Sequence, residues 1–189
     1  MIEYFYSAHS AYAYLGAQHL GDIAAKHGVE VAHRPFDLMP VIDAVSGGYA
    51  GARTDAHRAY FFEEDMYRWA RYRGLPMVPF RPTYHDEPLA LASGAILASE
   101  DKWAAHWAVL RAHWEDDADI SDGDALVAAG VDAAAVARAM DPDIQAMFAE
   151  ATQTALDRPI FGSPTYIWEG QMFYGQDRLT LLDHALGTR

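Results

Sequence analysis

The sequence contains no cysteine. That absence excludes disulfides, thiolate metal centres and a cysteine nucleophile together. Basic residues are scarce: 14 Lys and Arg stand against 27 Asp and Glu, a formal net charge of −13. So acidic a chain repels phosphate backbones and anionic lipid, so neither nucleic acid nor a membrane surface is an expected partner. No apolar run is long enough to span a bilayer. Met1-Ile2-Glu3-Tyr4 carries no basic segment followed by an apolar stretch, so a cytoplasmic location is expected. Internal repeats, low-complexity linkers and glycine-rich phosphate loops are also missing. What remains is a chain of 189 residues, 51% of them apolar, enough to bury a sizeable core. The expected partner is a small molecule.

Two β-containing ends flank a helical middle. Ile2 to Tyr6 is aromatic and β-prone and reads as a strand. Tyr12, Leu15, His19, Leu20 and Ile23 then recur at helical spacing, with Ser10 as N-cap and Gly28 as the stop. Val29 to Phe36 alternates as a second strand, parallel to the first because a helix crosses between them. Near the other end, Pro164 to Trp168 and Gln171 to Tyr174 flank the turn pair Glu169-Gly170 and predict a hairpin. Asp177 is the expected cap of a last helix with Leu179, Leu182 and Leu186 inward. The predicted class is α/β, one domain over 1–189. Its strand-bearing parts are about 1–40 and 159–189, and an all-helical insertion covers about 54–158. Within the insertion the periodicity predicts helices over Tyr60 to Tyr72, Leu89 to Leu97, Trp103 to Trp114, Ala125 to Ala128, Ala133 to Met140 and Ile144 to Leu156.

Ser10 has two readings. As a helix cap it contributes about 1 kcal/mol. The same position offers unpaired N–H groups and the positive end of a helix dipole, where a hydroxyl can donate to a bound thiolate or oxyanion. His9 precedes it, but neighbours in a strand-to-helix turn point apart, and no G-x-S-x-G elbow surrounds Ser10. A Ser-His hydrolase pair is therefore not expected. His9 and Tyr12 are the expected substrate-pocket residues. Pro164 fits a trans edge proline or a cis proline shaping a turn beside a site. Gln176 and Asp177 either start a helix or hold a ligand's ammonium or carboxylate there. The histidines, His106 and His113 among them, have no metal-ligand spacing, so no metal is expected. Trp103, Trp107 and Trp114 read as core packing, and Glu115 to Asp119 as solvated surface.

The opening Phe5-Tyr6-Ser7-Ala8-His9-Ser10-Ala11-Tyr12 resembles the 2-hydroxychromene-2-carboxylate isomerase family. That family is related to kappa-class glutathione transferases, in the DsbA-like branch of the thioredoxin fold. Phe161-Gly162-Ser163-Pro164-Thr165-Tyr166 and Met172-Phe173-Tyr174-Gly175-Gln176-Asp177-Arg178-Leu179 carry the likeness further, and Asp65 to Gly74 fits the middle. The resemblance implies a thioredoxin-like fold with a helical insertion, glutathione as thiol cofactor, and a homodimer. It makes Ser10 the catalytic serine and Pro164 the cis proline. It gives the Ser163 backbone the glutathione peptide, Gln176 and Asp177 the γ-glutamyl end, and Arg58 the place of a ligand-binding lysine. Ala11 stands where the family usually has proline, His9 where it tends to be apolar, and Ser46-Gly47-Gly48 lacks a ligand-contacting asparagine.

A free thiol near pKa 8.5 is mostly protonated at pH 7, and lowering it by one to two units takes roughly 1.4–2.8 kcal/mol. The expected reaction is reversible addition of glutathione thiolate, held by Ser10, to an enone-like carbon. A conjugate-forming glutathione transferase and a non-catalytic ligand-binding protein remain as alternatives. A disulfide oxidoreductase lacks the cysteine it needs.

Overall fold

A computed structural model describes residues 1–46, 54–158 and 160–188. The chain opens as β1 (Ile2–Tyr6), α1 (Ala11–His27), β2 (Val31–Pro35) and α2 (Leu38–Ser46). β1 and β2 pair in parallel, with Ile2 opposite Val31. The far end forms the predicted hairpin of β3 (Thr165–Trp168) and β4 (Gln171–Tyr174). Glu169 and Gly170 in its turn have φ of 50° and 78°, the mirror-image turn that matches strand twist. β3 runs antiparallel to β1, so both ends join one sheet in the order β2-β1-β3-β4.

Between them lie α3 (Asp55–Arg58), a π-helical stretch (Ala59–Asp65), α4 (Met66–Arg73), α5 (Ala90–Ala98), α6 (Lys102–Trp114), α7 (Gly123–Ala128), α8 (Ala133–Arg138) and α9 (Pro142–Asp157); α10 (Leu179–Gly187) ends the described fold. No helix among the described residues is long and apolar enough to cross a membrane. Period-2 alternation in β1 supplies two cores. Ile2, Tyr4 and Tyr6 enter the larger one with α1, α5, α6 and α10, while Phe5 packs with Phe36, Val41 and α9. Gly16 lets α1 meet the segment after β4: a Cβ there would lie 2.7 Å from that of Gln176.

Three expectations change, and α2 is a helix that the apolar spacing did not announce. The helix expected over Tyr60 to Tyr72 is interrupted by the π stretch, where Met66 N–H reaches back to the Phe61 carbonyl. Asp177 caps nothing: Gln176–Arg178 is a 3₁₀ turn leading into α10, and the Asp177 carboxylate pairs with Arg178 at 2.8 Å. The acidic run is not merely solvated. Glu115 accepts from the Tyr14 hydroxyl at 2.9 Å, and Asp117 accepts from the Thr83 N–H at 2.7 Å, tying the loop after α6 to α1 and to the loop before α5.

Candidate active site at the head of the first helix

β1 ends at Tyr6, and a short turn delivers Ser10 to the start of α1, its N–H bonded to the Ser7 carbonyl at 3.0 Å. Ser10 has the extended backbone of an N-cap, and its Oγ accepts from Ala13 N–H at 3.3 Å. The first turn of α1 holds no acidic residue, so the positive end of its dipole is not neutralised locally. The Ser10 hydroxyl donates to the Ser163 carbonyl at 3.4 Å, a long bond that a better acceptor would displace.

Ser163 faces Ser10 because β3 pairs with β1. The Ser163–Pro164 peptide is cis, the form the family resemblance implied and the isolated dipeptide does not favour. Ser163 Oγ accepts from Ser7 N–H at 2.9 Å, and the Pro164 carbonyl accepts from Gly175 N–H at 2.9 Å. The Ser163 N–H makes no hydrogen bond within the described residues.

Both serines open onto a cleft of about 1130 Å³ that also exposes His9, Tyr12 and Arg58. Five of the sequence-derived candidates thus share one cleft. Tyr12 contributes its ring, because its hydroxyl is spent on the Phe61 carbonyl and the Asp65 carboxylate, both at 3.1 Å. Burial, then Asp65, raises its pKa, so it stays protonated. Arg58 pairs with Asp55 at 2.6 Å on an exposed turn. Gln176 and Asp177 lie elsewhere. The Gln176 side chain is buried and accepts from Arg73 at 3.1 Å. Asp177 lines an adjoining groove of about 470 Å³ with Asp65, Trp69 and Arg73. The Tyr12–Asp65 bond links a wall residue of the cleft to one of that groove. Arg73 Nε is buried there without a hydrogen-bond partner among the described residues. The Ser46-Gly47-Gly48 stretch falls outside the described side chains.

Sequence reasoning missed most of the cleft wall. Phe61, Phe62, Phe80, Trp114 and Tyr174 make it aromatic, and the π stretch places two of them. Trp114 is core and wall at once: it is 3% exposed and donates from Nε1 to the His9 carbonyl at 3.0 Å. Arg71 and Arg81 add positive charge. Arg81 pairs with Asp86, whereas Arg71 has no ion pair among the described residues. His9 packs on His85, with ring centroids 4.4 Å apart. Burial, then the neighbouring His85 and His113, pushes the His9 pKa down to about 3, so it is neutral at pH 7. No group of three or more metal-ligating side chains among the described residues could hold an ion. A groove of about 1100 Å³ along β2 shares no lining residue with the cleft.

The arrangement can hold a polarisable anion at a helix N-terminus, beside an aromatic cleft with a guanidinium that has no ion pair among the described residues. The family model of the DSBA-like thioredoxin domain matches residues 1–187. A 2-hydroxychromene-2-carboxylate isomerase of Pseudomonas putida is 26% identical over 194 residues, covering 99% of this chain and 94% of its own. One of Sphingobium xenophagum is 25% identical, covering 98% and 97%. A solved 2-hydroxychromene-2-carboxylate isomerase superposes with a TM-score of 0.82 at 22% identity, covering 98% and 94%. The cytosolic disulfide reductase DsbM from Pseudomonas aeruginosa, solved with GSH, superposes with 0.64 at 21%, covering 98% of both chains. The chain is therefore a member of the DSBA-like thioredoxin domain family, with the thioredoxin-like sheet and helical insertion expected of it.

Proposed function

We propose that this protein is a glutathione-dependent isomerase of the 2-hydroxychromene-2-carboxylate type, acting on a small aromatic carboxylate that carries an enone-like double bond. The observation that carries the reading is the Ser10 hydroxyl at the unneutralised head of α1, facing Ser163 across a cysteine-free cleft. Relatives named for this activity, matched over nearly the whole chain, support it.

The residues fit glutathione. The Ser163 N–H, which has no partner among the described residues, and its lightly engaged carbonyl would pair with the peptide backbone. Asp177 and Arg73, opposite charges in one groove, would hold the ammonium and carboxylate of the γ-glutamyl end. Gln176, already bonded to Arg73, would position that guanidinium rather than touch the ligand. Bound glutathione would supply a thiolate that adds reversibly to the conjugated carbon, leaving a single bond free to turn. Ser10 donates to the sulfur and, with the helix dipole, favours its charged form. The aromatic wall orients the ring and excludes water, and Arg71 takes the carboxylate.

Calorimetric titration with reduced glutathione tests the reading. Saturable binding is expected, and its absence at millimolar ligand overturns the proposal. Incubation with 2-hydroxychromene-2-carboxylate should yield an isomer without consuming glutathione; a glutathione conjugate as product would make the protein a transferase.

A further inference from the structure

Three histidines from distant parts of the chain meet beside Ser10. His9 lies in the turn before α1, His85 in the loop between α4 and α5, and His113 on α6. The rings of His85 and His113 meet edge to edge, with centroids 5.1 Å apart and planes 28° from parallel, and Nδ1 of His85 lies 2.9 Å from Nε2 of His113. His9 and His85 line the cleft, while His113 is fully buried.

Burial decides where the protons sit. In the bond between the two rings, one nitrogen donates and the other accepts. His113 Nδ1 is buried with no partner among the described residues. A buried N–H without an acceptor is a rarer orphan than an acceptor left unfilled. The His113 proton therefore sits on Nε2 and is donated to Nδ1 of His85. His85 then carries its proton on Nε2, which has no hydrogen-bond partner among the described residues. The charged groups acting on these rings are Arg81, Asp86, Asp117 and Asp119. Burial, then Arg81, brings the His85 pKa down to about 4, so the ring is neutral near pH 7.

We propose that His85, oriented by His113, donates its Nε2–H to the substrate carbonyl oxygen on which negative charge collects while the conjugated double bond is opened for rotation. The inference rests on the isomerase reading above. No bond to His85 forms or breaks. The electron pair that moves onto the carbonyl oxygen returns to carbon when the double bond re-forms, and the proton stays on Nε2. A neutral imidazole suits this role because it polarises a carbonyl without surrendering its proton. His85 is then a catalytic residue and His113 a positioning residue.

The first test needs neither ligand nor mutation. Nitrogen-15 NMR of the histidine-labelled full chain at pH 7 should show His85 neutral and protonated on Nε2. A charged ring, or a proton on Nδ1, overturns the proposal. In the second test, His85→Phe is assayed with glutathione and 2-hydroxychromene-2-carboxylate. By analogy with the loss of one oxyanion donor, kcat should fall roughly 100-fold. The calorimetric Kd for glutathione should stay within about twofold, a change under 0.5 kcal/mol. Unchanged kcat with intact glutathione binding refutes the role of His85 alone. Failure of the unaltered protein to bind glutathione refutes both readings. His113→Phe should mix the His85 tautomers and lower kcat, and His113→Gln, which keeps a donor, should restore both. Tautomers unmoved by His113→Phe remove His113 from the mechanism.

Discussion

Ser10 caps a helix and is proposed to hold a sulfur, and one substitution series separates the two roles. Ser10→Ala removes the acceptor for Ala13 N–H and the donor now resting on Ser163. Loss of the cap costs about 1 kcal/mol, a fall of roughly 2–4 °C in melting temperature for a chain of this size. Loss of a hydrogen bond to a charged group costs about 1.5–3 kcal/mol, so the thiol of bound glutathione should titrate one to two pH units higher. The same energy in the transition state lowers kcat/KM roughly 10- to 100-fold. Ser10→Asp is the control. Aspartate caps as well as serine and suits the dipole, so stability is kept. As a carboxylate it cannot donate and repels the thiolate, so the thiol pKa should rise further than in the alanine variant. Ultraviolet absorbance of the thiolate, followed against pH in each complex, reads the shift, and thermal melts read the cap. If bound glutathione titrates at the same pH in all three proteins, Ser10 is only a cap and the thiolate argument fails.

The other expectations are simpler. His9, His33 and His85 are held neutral by burial at about 3, 4 and 4, against 6.5 in an unfolded chain. Between those values the unfolded state binds more protons, so stability is full above about pH 6.5 and falls as pH drops toward 4. A urea midpoint that does not decrease from pH 7 to pH 5 contradicts this. A Cβ on Gly94 would run into the Ala139 carbonyl where α5 crosses α8. Gly94→Ala should therefore destabilise by about 1–3 kcal/mol in denaturant titrations. Arg71→Gln should raise KM for an aromatic carboxylate about tenfold with little change in kcat, the pattern of lost binding; an unchanged KM would clear Arg71 of the role.

Much of the local structure was legible because it is set over a few residues. Ser10 bonds three residues ahead, Gly28 ends α1 with φ 62°, and Glu169-Gly170 turns the hairpin. Alternation in β1 divided its side chains between two cores. The Asp177 cap failed for the same reason that others succeeded: composition permits a cap, but the Gly175 turn tightens the chain into a 3₁₀ turn before the helix begins. The π stretch was invisible because apolar spacing does not distinguish one extra residue in a turn.

The sequence by itself determined the order of the strands and of most of the helices, the cap at Ser10 and the absence of any cysteine thiol. Residue type and short spacing are sufficient for these. Only the tertiary structure decided which side chains share the site. It set Ser163 against Ser10 through pairing of β3 with β1, and it moved Gln176 out of the cleft onto Arg73. It also hydrogen-bonded His85 to His113 across 28 residues of chain. These are contacts between segments that meet only when their apolar faces are buried together. The solvent excluded at such contacts also holds the histidines neutral, and no local pattern encodes it.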